Sequence, residues 1–323
     1  MREVAPAEWD VLLAEVGVAD AYLLRAYVEA SCVLDPGEPV LLEHDGAVMA
    51  CIVRQVPNSD AFDVTTPYGY GGPVGSSAGF HEAYEAWCAD RGVVSTFTRF
   101  HPLYENYRGA PGSSRVSSTV GWRLQGDLLA GMHGKHRNVV RKAQKAGVAV
   151  DVTAAPDDLS AFAALYERTM ERQGAAGYYF FPPAYWERLI ELGGHIVRVD
   201  ALCEGAVVAS ALCLRGDRWL HYHLGATDDA ARDLGASNLL LYTAAVWGQE
   251  QQLEEFHLGG GAGAEEDSLF AFKERFSPGG RRQFWVGKLV HDEDAYRRLS
   301  GGAEIDLDGF FPAYRASYSG APG

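Results

Sequence analysis

The chain has 323 residues, 47% hydrophobic and 22% charged, which is enough for two domains with separate cores and unlike a disordered chain. A formal charge of −15 excludes a protein coated by nucleic acid over most of its surface, because phosphate is repelled wherever acid dominates. No apolar run reaches the about 18 residues of a membrane span, so no membrane insertion is expected. The five cysteines (Cys32, Cys51, Cys88, Cys203, Cys213) show no CxxC spacing and the start has no signal-peptide pattern, so a reducing, cytoplasmic location is expected.

Taken in order, the first strong local signal is a hairpin at Val40-Leu41-Leu42-Glu43-His44-Asp45-Gly46-Ala47-Val48-Met49-Ala50, two apolar stretches around an acidic-Gly turn. The turn 67–72, with Tyr68 and Tyr70, is aromatic and glycine-rich, and either packs or lines an acceptor groove. Helical spacing over 80–91 leads into an apolar strand at 92–100. The segment 132–147 follows, then a strand at 148–152 and a helix start at Pro156-Asp157-Asp158. A second hairpin, Val199-Asp200-Ala201-Leu202-Cys203-Glu204-Gly205-Ala206-Val207-Val208-Ala209, repeats the first at an offset of about 160 residues, the scale of one domain. Helical spacing over 237–251 and a strand at 253–258 repeat the downstream elements.

The repeat predicts an α+β protein of two lobes with mixed sheets: 1–150, on the acceptor side, then 151–290. A C-terminal segment, 291–323, is expected to pack back on a lobe through Phe310, Phe311, Tyr314 and Tyr318, with residues from Ser319 disordered. The order of elements around both hairpins resembles the GNAT (acyl-CoA N-acyltransferase) core, so the lobes are expected to be tandem GNAT-like lobes.

Two clusters carry candidate chemistry. Between 128 and 150 there is no acidic residue, whereas Lys135, Arg137, Arg141, Lys142 and Lys145 all occur. On a helix these five fall on one half, and Val139, Val140, Ala143 and Ala146 on the other. The cationic face is either a solvated surface or a docking face for phosphate, RNA included. His136 falls on the apolar side. The second cluster is the turn Gly259-Gly260-Gly261-Ala262-Gly263 followed by Phe272-Lys273-Glu274-Arg275-Phe276. Glycines after a strand allow close backbone approach, and Phe272 and Phe276 share a helix face. His221 and His223 flank Tyr222 on a predicted strand and are expected on one face. No third ligand is placed by spacing, so no metal is expected.

The segment Lys135-His136-Arg137-Asn138-Val139-Val140-Arg141-Lys142-Ala143 resembles the basic R-x-x-x-R-K-A helix of the FemABX transferases. Phe272-Lys273-Glu274-Arg275-Phe276 matches their F-K-x-x-F signature, and Thr169 and Arg172, ahead of Gly174 and the run from Tyr178 through Tyr179 to Phe181, resemble their acceptor-binding stretch. The resemblance runs in order from about Leu34 to Val290; the long coiled-coil arm common in cell-wall members is absent.

That resemblance implies an aminoacyltransferase that moves an amino acid from aminoacyl-tRNA onto the amine of a peptide, cell-wall precursor or secondary metabolite. It implies Lys273 as the catalytic residue, an ammonium set against the developing alkoxide. It implies acceptor contacts at Phe272, Arg172, Thr169 and Tyr179, and tRNA contacts at Lys135, Arg137, Arg141, Lys142, Lys145 and Arg275. Tyr222, His223, Tyr68 and Tyr70 are further candidates for acceptor contact. No cofactor is expected beyond the tRNA co-substrate. Two alternatives stand beside this reading. One is a GNAT enzyme using acetyl-CoA or another acyl-CoA, whose pyrophosphate loop would be Arg232-Asp233-Leu234-Gly235-Ala236-Ser237. The other is a non-catalytic RNA-binding protein.

Overall fold

Both acidic-Gly pairs turn a hairpin. In the computed structural model Asp45 and Gly46 adopt φ of 47° and 82°, and Glu204 and Gly205 φ of 52° and 80°, the paired left-handed residues of a tight two-residue turn. The structure describes residues 1–261 and 266–316. Ala262 and Gly263 of the glycine-rich turn, the side chain of Arg232, Tyr318 and the residues from Ser319 lie outside the described residues.

The elements are β1 (Arg2–Glu3), α1 (Trp9–Glu15), α2 (Arg25–Ser31), β2 (Glu38–His44), β3 (Ala47–Gln55), β4 (Phe62–Thr65), α3 (Phe80–Arg91), β5 (Val93–Arg99) and β6 (Ser113–Arg123). There follow α4 (Leu128–Gly131), α5 (Gly134–Lys145), β7 (Ala149–Ala154), α6 (Ser160–Gln173), α7 (Pro183–Ile190), β8 (Ile196–Cys203), β9 (Ala206–Arg215) and β10 (Trp219–Thr227). The last are α8 (Ala236–Glu250), β11 (Glu255–Gly259), α9 (Ser268–Glu274), β12 (Arg281–Val290) and α10 (Glu293–Leu299).

The chain forms two compact units. Unit 1 comprises Met1–Val116, Ala176–Tyr185 and the chain from Phe284 on; unit 2 comprises Ser117–Ala175 and Trp186–Gln283. The sheet of unit 1 runs β1-β2-β3-β4-β5, with β12 beside β5. All neighbours are antiparallel except β4 and β5, which are parallel. In unit 2 the order is β7-β8-β9-β10-β11-β6, again antiparallel except for the parallel pair β10 and β11. The two units therefore share one topology, five strands in chain order plus a sixth from a distant stretch of sequence.

That sixth strand explains why the units differ from a division at residue 151. Val120 and Trp122 of β6, Leu128 of α4 and Val140 and Ala143 of α5 share one buried cluster with Leu240, Phe256, Phe270 and Phe276. Apolar side chains buried together define the unit, so 117–150 falls in unit 2 rather than in the first lobe. The stretch Ala176–Tyr185 likewise falls in unit 1, where Tyr178 and Phe181 set their rings against Tyr68.

In unit 1, Tyr296, Phe311 and Tyr314 of the C-terminal segment are buried with Val56 and Val94. The Tyr314 hydroxyl lies 2.7 Å from Ser95 Oγ. Asp63, 1% exposed, accepts from Arg54 Nε at 2.8 Å and also from Arg315. A carboxylate buried between two guanidiniums holds β4, β3 and the C-terminal segment together. Its removal leaves Arg54 without its inner partner. Asp63→Ala is expected to destabilise the protein by about 3–5 kcal/mol, read from the midpoint and slope of urea unfolding.

Candidate active site

The parallel strands of unit 2 pair over only three positions, Trp219↔Glu255, Leu220↔Phe256 and His221↔His257. Beyond them β10 continues to Thr227 against β9, with a bulge between Tyr222 and Leu224, while β11 continues against β6 with a bulge between His257 and Gly259. The strands thus part at their carboxyl ends, where open α/β sheets place ligands. The first bulge inserts His223 as an extra residue, which breaks the alternation expected through His221, Tyr222 and His223. His221 Nδ1 lies 3.5 Å from His257 Nδ1, and His257 Nε2 lies 2.8 Å from Thr119 Oγ1. Burial, with His221 nearby, drives the His223 imidazole down to about 3, so it is neutral at physiological pH.

Lys273 lies at the end of α9, 7% exposed. Its Nζ donates to the Gly260 carbonyl at 2.7 Å and stands 5.3 Å from the centre of the Tyr222 ring. Burial brings its ammonium down to about 8, opposed by the Asp267 carboxylate. The glycines serve close approach: a Cβ on Gly261 would lie 2.5 Å from Asp267 Oδ1, and Gly259 has φ of 73°. Asp267 also caps α9, accepting from Phe270 N–H at 2.8 Å. Asp267-Ser268-Leu269-Phe270 has the spacing of an N-cap before an apolar run.

The basic helix is bolted to this lysine's helix. His133 N–H donates to the Arg275 carbonyl at 2.9 Å, and the His136 Nε2 lies 3.0 Å from the Phe272 carbonyl oxygen. The His136 ring contacts those of Phe272 and Phe276 at 5.1 and 4.6 Å, and the two phenylalanines contact each other at 5.3 Å. His136 is therefore a buried fastener, and Phe272 packs on it.

The cations of α5 divide. Lys135, Arg141, Lys142 and Lys145 are exposed, as is Arg275. Arg137 instead turns back, its Nη1 donating to the carbonyls of Ala130 and Met132 at 2.9 and 2.6 Å, which satisfies the unpaired end of α4. Lys142 Nζ donates to the Asp233 carbonyl at 2.8 Å. Ala146, expected on the apolar half, is exposed because α5 ends at Lys145 and Ala146 is its cap. Gly235, in the loop proposed for pyrophosphate, starts α8 with φ of 70° and lies so close to Val139 that a Cβ would meet Cγ1 at 2.4 Å.

Thr169 and Arg172 hold the end of β10. Thr169 Oγ1 donates to the Leu165 carbonyl at 2.8 Å and accepts from Thr227 N–H at 3.2 Å. Arg172 donates to the Thr227 carbonyl and pairs with Asp229 at 3.1 Å. In unit 1, Tyr68 meets Tyr178 and Phe181 at 5.8 and 5.6 Å, and Tyr70 meets Tyr22, His101 and Phe284 at 5.3, 5.8 and 5.7 Å. Tyr179 is half-buried on the turn Gly177–Tyr179 of the same unit. The buried His101 accepts from the N–H groups of Leu103 and Tyr104 at Nδ1 and faces Asp20 with Nε2 at 3.4 Å.

A model of the acetyltransferase (GNAT) domain family matches residues 130–274, the stretch that holds α5, the parted strands and Lys273. FemX has 15% sequence identity and a TM-score of 0.69, covering 92% of this chain and 99% of its own. The chain has a FemX-like fold. L-PGS from Bacillus licheniformis shares it, at 15% identity and a TM-score of 0.58, over 88% of this chain and 92% of its own. No curated protein matches the sequence. The FemX-like fold accounts for the repeated topology, and the GNAT match falls on unit 2 apart from the stretch Ala176–Tyr185.

Burial drives the His136 imidazole down to about 4, opposed by its bond to the Phe272 carbonyl. In the unfolded chain it titrates near its ordinary value of about 6.5. Between those values the unfolded state binds more protons, so stability is full above about 6.5 and declines as pH falls toward about 4. His136→Gln is expected to flatten this part of the stability–pH curve, measured by denaturant unfolding across that range.

Proposed function

We propose that this chain is an aminoacyltransferase that forms an amide by moving an amino acid from aminoacyl-tRNA to an acceptor amine. The observation that carries the reading is the direct fastening of the cationic helix α5 to the helix bearing Lys273, through the Arg275 and Phe272 carbonyls. An anionic donor resting on Lys135, Arg141, Lys145 and Arg275 is thereby set in register with a buried ammonium at the parting of β10 and β11. The FemABX resemblance of both segments supports the same assignment.

The chemistry asks little of the protein beyond position and charge. The acceptor's neutral amine attacks the ester carbonyl, the carbonyl oxygen gains negative charge, and the tRNA 3′-terminal ribose oxygen leaves with a proton as the amide forms. Lys273 as ammonium stabilises the developing oxyanion, and holding amine and ester together supplies much of the remaining rate. The Tyr222 ring beneath the ammonium and the Gly260 carbonyl fix its position. Thr169 and Arg172 act on the acceptor side by setting the end of β10. Tyr68, Tyr70 and Tyr179 belong to the acceptor groove of unit 1.

A second reading, an acyl-CoA-dependent GNAT enzyme, is favoured by one feature of unit 2. Among the described residues helix α8 starts without a side-chain cap, and the buried Nδ2 of Asn238 in its first turn has no hydrogen-bond partner. Free donors at a helix start suit a pyrophosphate. The two readings separate in one assay: transfer of labelled amino acid from a charged tRNA pool to an amine mixture, with and without ribonuclease, beside acetyl-CoA. Ribonuclease-sensitive amide formation is expected; transfer from acetyl-CoA alone would replace the tRNA reading.

Two substitutions probe the assignments. Lys273→Met is expected to lower turnover by about 100- to 1,000-fold, the loss that follows removal of one oxyanion donor. Turnover within about twofold of wild type would end the catalytic assignment. Because the active form of Lys273 is the ammonium, the wild-type rate should decline as pH rises through about 8, a limb absent from the residual activity of the variant. Reversing Arg141 and Lys145 to Glu is expected to weaken donor binding about tenfold or more and to flatten its salt dependence, with acceptor KM unchanged.

A further inference from the structure

Unit 1 repeats the topology of unit 2, and its parallel ladder likewise ends before its fifth strand does. β4 pairs with β5 from Phe62↔Val93 to Thr65↔Phe97, after which β4 ends and β5 runs on to Arg99. Arg99 therefore ends the fifth strand of its unit, as Gly259 ends that of unit 2. The repeat puts a cation at the carboxyl end of the parallel pair, the side of an open α/β sheet where ligands bind, although here the chain after β4 stays joined to β5 through Thr66 and Gly71.

The surroundings of this arginine are unusual. Its guanidinium lies over the Phe97 ring, 4.8 Å from the centre. Its backbone is pinned on both sides, the N–H donating to Thr66 Oγ1 at 3.0 Å and the carbonyl accepting from Gly71 N–H at 2.8 Å. Nη1 is buried and has no hydrogen-bond partner among the described residues. The charge also reaches Tyr178: burial raises that phenol above its ordinary range, Arg99 pulls it down, and Asp35 pushes it up. Asp35 is bound to Arg54 Nη1 at 2.7 Å. The turn 66–71 is bonded to Arg99 at both ends, and its Tyr68 meets Tyr178, which is 41% exposed, at 5.8 Å, so an aromatic pair stands in the neighbourhood of the cation.

A guanidinium that is held by an aromatic face and a fixed backbone, yet keeps a buried nitrogen unpaired, is costly unless an anion completes it. Arg172, for which the resemblance implies an acceptor contact, already pairs with Asp229. We propose that Arg99 is the anion-recognition residue of unit 1 and binds an oxyanion, carboxylate or phosphate, of an acceptor whose planar part stacks on Tyr68 and Tyr178. The inference rests on the acceptor reading of unit 1 but concerns binding alone, without donor or turnover.

The test is binding of benzoate, phenyl phosphate and neutral benzyl alcohol to the full-length protein, followed by broadening of their aromatic proton signals. Both anions share the oxyanion chemistry, and their relative affinity identifies carboxylate or phosphate as the preferred group. At least one anion should bind about tenfold or more tightly than benzyl alcohol, and Arg99→Gln should weaken it by a similar factor. Arg99→Lys should recover part of the loss, since a point charge replaces a planar fork. Tyr178→Ala, at an exposed ring, should weaken the anion several-fold with the unfolding midpoint unchanged. It keeps the test decisive if Arg99→Gln fails to fold. Equal binding of the neutral compound, unchanged affinity in both variants, or no anion binding at millimolar concentration would overturn the proposal. Ribonuclease-sensitive transfer alongside any of those results would sink this inference and leave the aminoacyl transfer reading standing; anion binding without such transfer would do the reverse.

Discussion

Two parallel strands that pair over three residues and then part are the constraint on which unit 2 depends. A parallel pair is held only by its own ladder and by the strands outside it, here β9 and β6. Once the ladder ends at His221↔His257, the backbone groups of the next residues face an opening instead of a neighbour. The bulges at Tyr222/Leu224 and His257/Gly259 absorb the divergence. Everything assigned to chemistry in this unit follows from that opening: the Gly260 carbonyl is available to Lys273, Tyr222 can lie under the ammonium, and the glycines admit α9 closely.

The same unit shows how a strongly acidic protein can present a basic surface. The cations are gathered on one helix with no acid between 128 and 150, and that helix is held by its apolar face and by His136. A buried imidazole that donates to a carbonyl is cheap only while neutral, so the fastener works by staying uncharged beside a field of positive charge. Two of the cations are spent on structure. Arg137 closes the end of α4, and Lys142, though exposed like Lys135, Arg141 and Lys145, ties to the Asp233 carbonyl.

The duplicated topology separates roles. Unit 2 sets a lysine and a glycine-rich turn where its parallel strands part; in unit 1 Arg99 ends β5 and the chain after β4 stays bonded to it. Each unit also takes its sixth strand from outside its own run of five, β6 ahead of β7 and β12 after α9. The units are therefore not consecutive halves of the chain. A strand is claimed by the core that buries its side chains, and Val120 and Trp122 are buried with Phe256 and Phe276.

Local pattern was enough for much of this. The acidic-Gly turns, the helices of 80–91 and 237–251, the amphipathic basic helix and the burial of His136 follow from chemistry within a few residues of each position, where spacing and turn preference decide the outcome. The repeat, and with it the tandem GNAT-like fold, was legible for the same reason. Residues whose roles depend on distant partners were not. Nothing near Arg137 signals that it bends back to two carbonyls, nothing near Arg172 that Asp229 takes its charge, and nothing near Arg99 that its guanidinium is left with an unpaired nitrogen. The bulge that displaces His223 arises from pairing with β9, which alternation along one strand does not contain. Sequence by itself determined the elements, the repeat and the residue types available for chemistry, because those rest on short-range backbone and hydrophobic preferences. Only the tertiary structure decided which charges are spent, which are left over and which strand completes which sheet, because those depend on desolvation and packing between segments far apart in the chain.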